Sequence, residues 1–210
     1  MGLETFLIKV IDDPMLITEI MNIVAEAQRE VVSVCAQYNL SFLCIGDDLA
    51  STSDLLVSPR FLRQEWIPLI QRMLEPVRKL AIPIVFHSCG RLDGIIPMVL
   101  DLGFVGLNPI QPNCNDIYNI KKQYGHRICL IGNIDIAGVL SRGKPSDVNA
   151  DVRRHIEELS SGGGYIVSYS HSITDAVPTC NWVEMANAVH ERDLCCSFQN
   201  ILSVSIKLKL

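Results

Sequence analysis

The stretch that decides the fold is Pro83-Ile84-Val85-Phe86-His87-Ser88-Cys89-Gly90, in which a short apolar run is followed at once by polar side chains. A short apolar run that does not alternate with polar residues is typical of a strand covered on both faces, as in parallel sheets. The residues after such a strand lie at its carboxyl end, where parallel α/β folds place their chemistry. The stretch therefore predicts a buried parallel strand with a functional site at its end.

The same unit recurs on both sides of this stretch. Further short apolar runs that predict strands lie at residues 42–45, 104–107, 128–131 and 165–167. Apolar residues at helical spacing separate them, at residues 14–38, 58–80, 95–102, 117–124, 146–159 and 181–190. Strands that alternate with helices in this way predict βαβ units and a parallel α/β sheet. A complete (β/α)8 barrel of the TIM type has eight strands in about 250 residues. We therefore predict an incomplete TIM-type barrel of about five βα units, with the N-terminal part missing.

Composition narrows the class of protein. The chain has 210 residues and a formal net charge of −5, and its basic residues are scattered, which argues against a nucleic-acid partner. We expect no membrane span and no signal peptide, and we expect the eight cysteines to stay reduced in a cytoplasmic protein. The barrel domain is predicted over residues 1–192. The tail at 193–210 is atypical, because its alternating apolar residues at 201–210 predict a strand that either pairs with a sheet edge or is poorly ordered.

The clearest candidate for chemistry is the pair His87 and Cys89. Side chains at positions i and i+2 of a strand point to the same side, so the imidazole and the thiol converge, and both groups are good zinc ligands. The alternative is a buried cysteine beside a hydrogen-bonded structural histidine. We predict His171 as the third ligand, with Cys180 as the second choice. The remaining histidines, which have charged neighbours, are predicted to be solvated: His126, His155 and His190.

Other polar residues also follow predicted strands. Asp47 and Asp48 are candidate catalytic residues, since either carboxylate can act as a general base, orient a ligand histidine or bind a cationic group. The other possibility is that they only cap a turn. Four more residues are candidates for substrate binding at the same edge of the sheet: Asn108, Gln111, Asn133 and Asp135. The glycines at 162–164 precede a strand and predict a helix end and a turn rather than a phosphate loop.

Five motifs, taken in order, resemble the uroporphyrinogen decarboxylase superfamily over roughly residues 1–192. They are Gly46-Asp47-Asp48-Leu49, His87-Ser88-Cys89-Gly90, Asn108-Pro109-Ile110-Gln111-Pro112, Gly132-Asn133-Ile134-Asp135 and Gly163-Gly164-Tyr165-Ile166. The resemblance implies a (β/α)8 barrel and one of two activities. One branch of the superfamily decarboxylates uroporphyrinogen in porphyrin biosynthesis without a cofactor. The other transfers methyl groups between a corrinoid (cobalamin) protein and a thiol or similar acceptor.

The His-x-Cys element of this resemblance favours the methyltransferase branch. In the methylcobamide:coenzyme M methyltransferases, zinc is held by His-x-Cys and a later Cys. His87 and Cys89 match the first two ligands, and His171 stands where the later Cys would fall. The resemblance thus implies zinc, a corrinoid carried by a partner protein and a small-molecule methyl acceptor. A truncated barrel also exposes strand edges, so we expect self-association. A non-catalytic protein that only associates with partners is the third possibility.

Overall fold

The computed structural model describes the backbone of residues 1–195 and the side chains of residues 1–191. The chain divides into two compact units, Met1–Leu107 and Asn108–Leu210. The strand predicted at 201–210 lies outside the described residues. The backbone of residues 193–195 continues the last helix past the predicted domain boundary. The boundary after residue 192 stays a prediction.

Helices and strands alternate along the chain as the sequence predicts. The strands are β1 (Leu43–Gly46), β2 (Ile84–His87), β3 (Gly106–Asn108), β4 (Cys129–Ile134) and β5 (Tyr165–Tyr169). The helices are α1 (Leu3–Asp12), α2 (Pro14–Cys35), α3 (Pro59–Phe61), α4 (Ile67–Arg78), α5 (Ile96–Asp101), α6 (Ile117–Tyr124), α7 (Val139–Arg142), α8 (Pro145–Leu159) and α9 (Thr179–Cys195). A π-helical turn at Leu62–Trp66 joins α3 to α4. Two helices, α1 and α7, are not predicted from the sequence, and α1 has no fully buried residue.

In the first unit, β1 and β2 pair in parallel, with Leu43 opposite Ile84 and Gly46 opposite His87. The helix α2 begins at Pro14, and the side chain of Asp13 accepts a hydrogen bond from the backbone N–H of Leu16, 3.3 Å away. This cap satisfies one of the free N–H groups of the first helical turn. Proline suits this first turn, because no backbone donor is needed there.

Aromatic rings hold α4 and its preceding turn against the strand that carries the predicted site. The ring of Trp66 meets the ring of Phe86 edge-on, with centroids 5.7 Å apart, and Phe86 packs against Phe104 at 5.2 Å. Phe86 is fully buried, and Trp66 is 4% exposed. Paired aromatic rings of this kind contribute about 0.5–1.5 kcal/mol beyond the area they bury. The segment ahead of His87 is therefore anchored in the core.

In the second unit, β4 and β5 pair in parallel, with Leu130 opposite Tyr165 and Ile134 opposite Tyr169. Helices α7, α8 and α9 cover this pair with a cluster of buried apolar residues. The cluster consists of Ile134, Leu140, Val148, Val152, Val177, Met185 and Ala188. β4 continues to Ile134, three residues beyond its predicted end, so Gly132 and Asn133 lie inside the strand.

The five strands follow one another in the sheet in chain order, β1-β2-β3-β4-β5. This arrangement confirms the predicted parallel α/β class and agrees with a partial barrel of the (β/α)8 type, in which each strand lies beside the next one along the chain.

Among residues 1–195, no helix combines the length and the apolar composition needed to cross a membrane.

Candidate metal site

The ends of β1 and β2 bring the predicted metal and acid residues of the first unit together. Because Gly46 lies opposite His87, the chain leaves both strands at the same level. The backbone N–H of Asp47 donates to the carbonyl of His87 over 3.0 Å, which ties the two ends to each other. Asp47 and Asp48 are thereby placed beside the His87-Ser88-Cys89 segment.

Asp48, His87 and Cys89 form a compact group whose ligand atoms all lie within 4.8 Å of one another. The Sγ atom of Cys89 is 3.8 Å from Nε2 of His87. The backbone N–H of Cys89 donates to Oδ1 of Asp48 over 2.8 Å, so the carboxylate is fixed beside the thiol. Imidazole and thiol converge as the i, i+2 spacing predicts.

The residues around this group keep it in shape. Ser88 is fully buried, and its Oγ accepts a hydrogen bond from the backbone N–H of Leu49 over 3.2 Å. Gly90 has a φ of +85°, and a Cβ there would come within 2.3 Å of the carbonyl oxygen of Ala50. Glycine is therefore required for the chain to turn back immediately after Cys89.

An imidazole nitrogen, a thiolate and a carboxylate form a donor set that suits zinc. With three protein ligands, a tetrahedral ion keeps one position for a substrate, which is the arrangement of catalytic zinc sites. Asp48, which we predicted as a catalytic residue, is thus placed among the candidate ligands. His171 and Cys180 are exposed residues of the second unit, and their part in a metal site stays a prediction.

Asp47 faces a different environment from that of Asp48. Its Oδ2 accepts a hydrogen bond of 2.7 Å from Nε1 of Trp66, at the end of the π-helical turn. Asp47 also lines a cavity of the first unit, whose walls are largely apolar. Partial desolvation raises the pKa of Asp47, the hydrogen bond from Trp66 lowers it, and the nearby charge of Asp48 raises it, so that the net shift is upward. Asp47 is therefore suited to hold and transfer a proton.

The candidate substrate-binding residues lie in the second unit. Nδ2 of Asn108 donates to the carbonyl of Ile131 over 3.1 Å. The carbonyl of Gln111 accepts from Nδ2 of Asn115 over 2.9 Å. Oδ1 of Asp135 accepts from the backbone N–H of Ala137 over 3.0 Å. Each of these three residues is half-buried, and their role in substrate binding stays a prediction.

The fourth of these residues, Asn133, is 3% exposed and belongs to a buried polar network. Its Nδ2 donates to the carbonyl of Ile110 over 2.7 Å, and its Oδ1 lies 3.0 Å from Nε2 of His155. The other ring nitrogen of His155, Nδ1, lies 2.8 Å from the carbonyl of Asp151. The Asn133 side chain thus has partners on both of its polar atoms within the protein.

The prediction that His155 is solvated was wrong. His155 is 4% exposed, and the reason is its position on α8, where it shares a face with the buried Val148, Val152 and Leu159. The charged neighbours in sequence, Arg153 and Arg154, lie on other parts of the helix surface. The spacing of three and four residues from Val152 and Leu159 was the signal that could have identified it. His126 and His190 are exposed, in agreement with the prediction.

Trp66 is a site residue that the sequence reasoning missed. The apolar spacing of residues 58–80 places it on the buried face of a helix, which is typical of a core residue. Nothing in that pattern indicates that the indole N–H would reach Asp47, because a π-helical turn shifts the angular position of the residues that follow it.

Comparison with known proteins places these observations in a family. The profile of uroporphyrinogen decarboxylase (URO-D) matches residues 1–192. A methylcobamide:CoM methyltransferase from Methanosarcina barkeri is 27% identical over 142 residues, which cover 68% of this chain and 40% of that protein. A uroporphyrinogen decarboxylase from Nitrosospira multiformis is 28% identical over 75 residues, covering 36% of this chain and 20% of that protein.

A solved structure supports the same fold. A methyltransferase from Methanosarcina mazei superposes with a TM-score of 0.74 at 22% sequence identity, covering 91% of this chain and 54% of the other. The chain thus spans about half the length of the relatives it matches. The five motifs in order, the parallel α/β fold and the match over residues 1–192 agree, and the chain belongs to the uroporphyrinogen decarboxylase (URO-D) family.

Proposed function

We propose that this chain carries a zinc-dependent methyltransferase site that moves a methyl group between a methylated corrinoid, carried by a partner protein, and a thiol or similar acceptor. The observation that carries the proposal is the group formed by Asp48, His87 and Cys89 at the end of β1 and β2. A relative named as a methylcobamide:CoM methyltransferase matches 68% of the chain and supports the same activity.

In this proposal His87 and Cys89 hold the metal, and Asp48 or His171 completes the three protein ligands. Zinc supplies one function when bound, which is to keep an acceptor thiol deprotonated while its sulfur stays nucleophilic. Asp48 accepts a hydrogen bond from the backbone N–H of Cys89 and thereby fixes the position of Cys89. Asp47 takes up the proton that the acceptor thiol releases, at the carboxylate that Trp66 holds in place.

The transfer itself balances as a displacement. A lone pair on the acceptor sulfur forms the new C–S bond, and the electron pair of the broken Co–C bond stays on the cobalt of the partner's corrinoid. The acceptor is a small molecule, and Asn108, Gln111 and Asp135 are the residues proposed to contact substrate. Asn133, the fourth candidate, is buried with partners on both polar atoms, and we assign it to the support of the β4 end instead. We place the protein in the cytoplasm, where thiols stay reduced. The six cysteines with described side chains are free thiols, which supports this location.

A second candidate function is decarboxylation of the acetate side chains of uroporphyrinogen, as in porphyrin biosynthesis. The match to the uroporphyrinogen decarboxylase of Nitrosospira multiformis favours it, and this activity needs no metal. A third candidate is a protein without catalysis that associates with partners or with itself. Zinc content separates the first candidate from the second, and a cooperative thermal transition of a monodisperse sample separates both from the third.

The test is zinc per chain, measured by elemental analysis for the wild type, Cys89→Ala and the matched control Cys44→Ala, which removes an exposed thiol of the same unit. We expect nearly one zinc per wild-type and control chain and almost none in Cys89→Ala. The zinc-loaded wild type should also demethylate methylcobalamin in the presence of a thiol, and Cys89→Ala should not. A folded wild-type protein without zinc would overturn the proposal, as would equal demethylation rates in the wild type and Cys89→Ala.

A further inference from the structure

The first unit contains a cavity of about 610 Å³ between α1, α2, β1 and the helical segment that ends in α4. Its volume is in the range typical of small-molecule sites. Its walls are mostly aliphatic and include Leu7, Ile20, Val32 and Ile70. Such walls favour a ligand with a large apolar surface.

The charged side chains that line the cavity, among the described residues, are all negative. Asp47 and Asp48 are the only charged side chains among the described residues that line it, and no lysine, arginine or histidine is among them. The cavity is therefore unfavourable for a carboxylate, phosphate or sulfonate, which would meet negative charge without a compensating cation. A positively charged ligand would instead be attracted to it.

The two carboxylates have different tasks. Asp48 accepts a hydrogen bond from the backbone of Cys89 and belongs to the group that is proposed to hold zinc. The cation of that site would balance the charge of Asp48. Asp47 lies outside the group and is held by Nε1 of Trp66 at 2.7 Å. Asp47 thus stays in the cavity wall, held by Trp66, whether or not a metal is bound to the neighbouring group.

Aromatic side chains in the cavity wall also favour a positively charged ligand. Phe6 on α1, Phe61 on α3 and Trp66 all line the cavity. The π-helical turn and the edge contact with Phe86 keep Trp66 in place beside Asp47. Aromatic faces attract organic cations, and an alkylated ammonium group presents apolar methyl groups together with a positive charge.

We propose that this cavity binds an apolar organic cation of the alkylated ammonium class, with Asp47 as its counter-ion. The proposal does not depend on zinc or on methyl transfer, because the cavity, its aromatic rings and Asp47 are present without the metal group. The cavity adjoins the candidate metal site at Asp48, and the proposal assigns a ligand to its apolar and aromatic part beside Asp47.

The test is titration calorimetry of the metal-free chain with three probes of similar size and shape. They are choline, its neutral carbon isostere dimethylbutanol and the anionic dimethylbutanoate. We expect choline to bind about tenfold more tightly than the neutral isostere, since it adds a charge-assisted contact and a cation–π contact, and we expect the anion not to bind.

Variants then separate charge from shape. Asp47→Asn should weaken choline binding about tenfold and leave binding of the neutral isostere unchanged. Ala25→Leu, which fills the cavity from α2, should weaken both probes. Asp54→Asn, an exposed acid that does not line the cavity, is the matched control and should bind choline as the wild type does. Thermal melting of each variant confirms that it is folded.

Three results would overturn the proposal. The first is equal affinity for choline and its neutral isostere, which would make the cavity a purely apolar site. The second is no binding of choline by the wild type, and the third is choline binding that Asp47→Asn leaves unaffected in a folded variant. Each of these results would leave the zinc measurement untouched, so a failure here is distinguishable from a failure of the proposed methyltransferase site.

Discussion

The carboxyl ends of β2 and β4 carry similar residues and use them in opposite ways. At the end of β2, His87 and Cys89 are half-buried and converge with Asp48 on one point. In β4, Asn133 is buried, and its polar atoms lie within hydrogen-bond distance of His155 and the carbonyl of Ile110. Polar side chains at a strand end thus form a candidate metal site in one case and hold the backbone in the other.

The difference lies in the partners that the rest of each unit supplies. The β4 end receives His155 from α8, and the hydroxyl of Tyr165 donates to the carbonyl of Gly132 over 2.6 Å. The β2 end receives the carboxylate of Asp48 from the neighbouring strand end, which adds a candidate metal ligand. A strand end is therefore a candidate for chemistry when its side chains converge on an accessible point, and a structural element when neighbouring helices cover it.

Replacing His155 should give the largest change in stability. His155→Ala removes the partner of Asn133 Oδ1 and of the Asp151 carbonyl, and it opens space beneath α8. We expect the free energy of unfolding to fall by about 2–4 kcal/mol, measured by urea denaturation. The exposed His126→Ala should change it by less than about 0.5 kcal/mol.

The contact with Asn133 can be isolated by a double-mutant cycle. Asn133→Ala and His155→Ala together should cost less than the sum of the two single changes, because each removes the same contact. Full additivity would show that the two side chains do not interact. A loss below about 1 kcal/mol in His155→Ala would contradict the view that this network holds the β4 end.

Most of the fold could be predicted from the sequence, because short apolar runs and helical spacing report directly on burial. The strands β1, β2, β3, β4 and β5 lie where those runs predicted them. The helix α1 could not be found this way, since it packs on α2 without fully burying a residue. β4 continues through Gly132 and Asn133, and the polar side chain of Asn133 is buried against His155 of α8. A prediction based on apolar runs ends the strand where the apolar residues end, so it stops before these two residues.

The candidate site was predicted in part, for a similar physical reason. The i, i+2 spacing predicts that His87 and Cys89 lie on one side, and their side chains do converge, although β2 itself ends at His87. The positions of Asp48 and of the Trp66 indole depend on the pairing register and on a π-helical turn, which no short motif contains. Both residues needed the folded first unit before their partners could be named.

The third ligand of the candidate metal site at the β2 end can be identified by comparing two variants. Asp48→Asn keeps an oxygen near Cys89 but removes the negative charge, and we expect zinc affinity to fall about tenfold or more. The measurement is competition for zinc against a chromophoric chelator. His171→Ala is the matched comparison: an unchanged affinity there assigns the third position to Asp48. If His171→Ala weakens binding and Asp48→Asn does not, the third position belongs to His171.

The smallest expected change in the free energy of unfolding comes from replacing Tyr165, whose hydroxyl supports the β4 end. Tyr165→Phe removes the hydrogen bond to the Gly132 carbonyl and should lower the free energy of unfolding by about 1 kcal/mol. Burial raises the pKa of Tyr165 well above its ordinary value, and the neighbouring Tyr118 and Asp151 add to the rise. In the unfolded chain a tyrosine loses its proton near pH 10, whereas the folded protein keeps the proton of Tyr165.

This difference fixes the sign of the pH dependence. The contribution of the Tyr165 proton to stability is complete below about pH 10, and it is lost as the pH rises further, because the unfolded state then binds fewer protons than the folded state. Wild-type stability should therefore fall more steeply above about pH 10 than that of Tyr165→Phe, as chemical denaturation at several alkaline pH values would measure. Parallel curves would show that the hydroxyl titrates as freely in the folded unit as in the unfolded chain, and the β4 end would then be held by Asn133 and His155 without help from Tyr165.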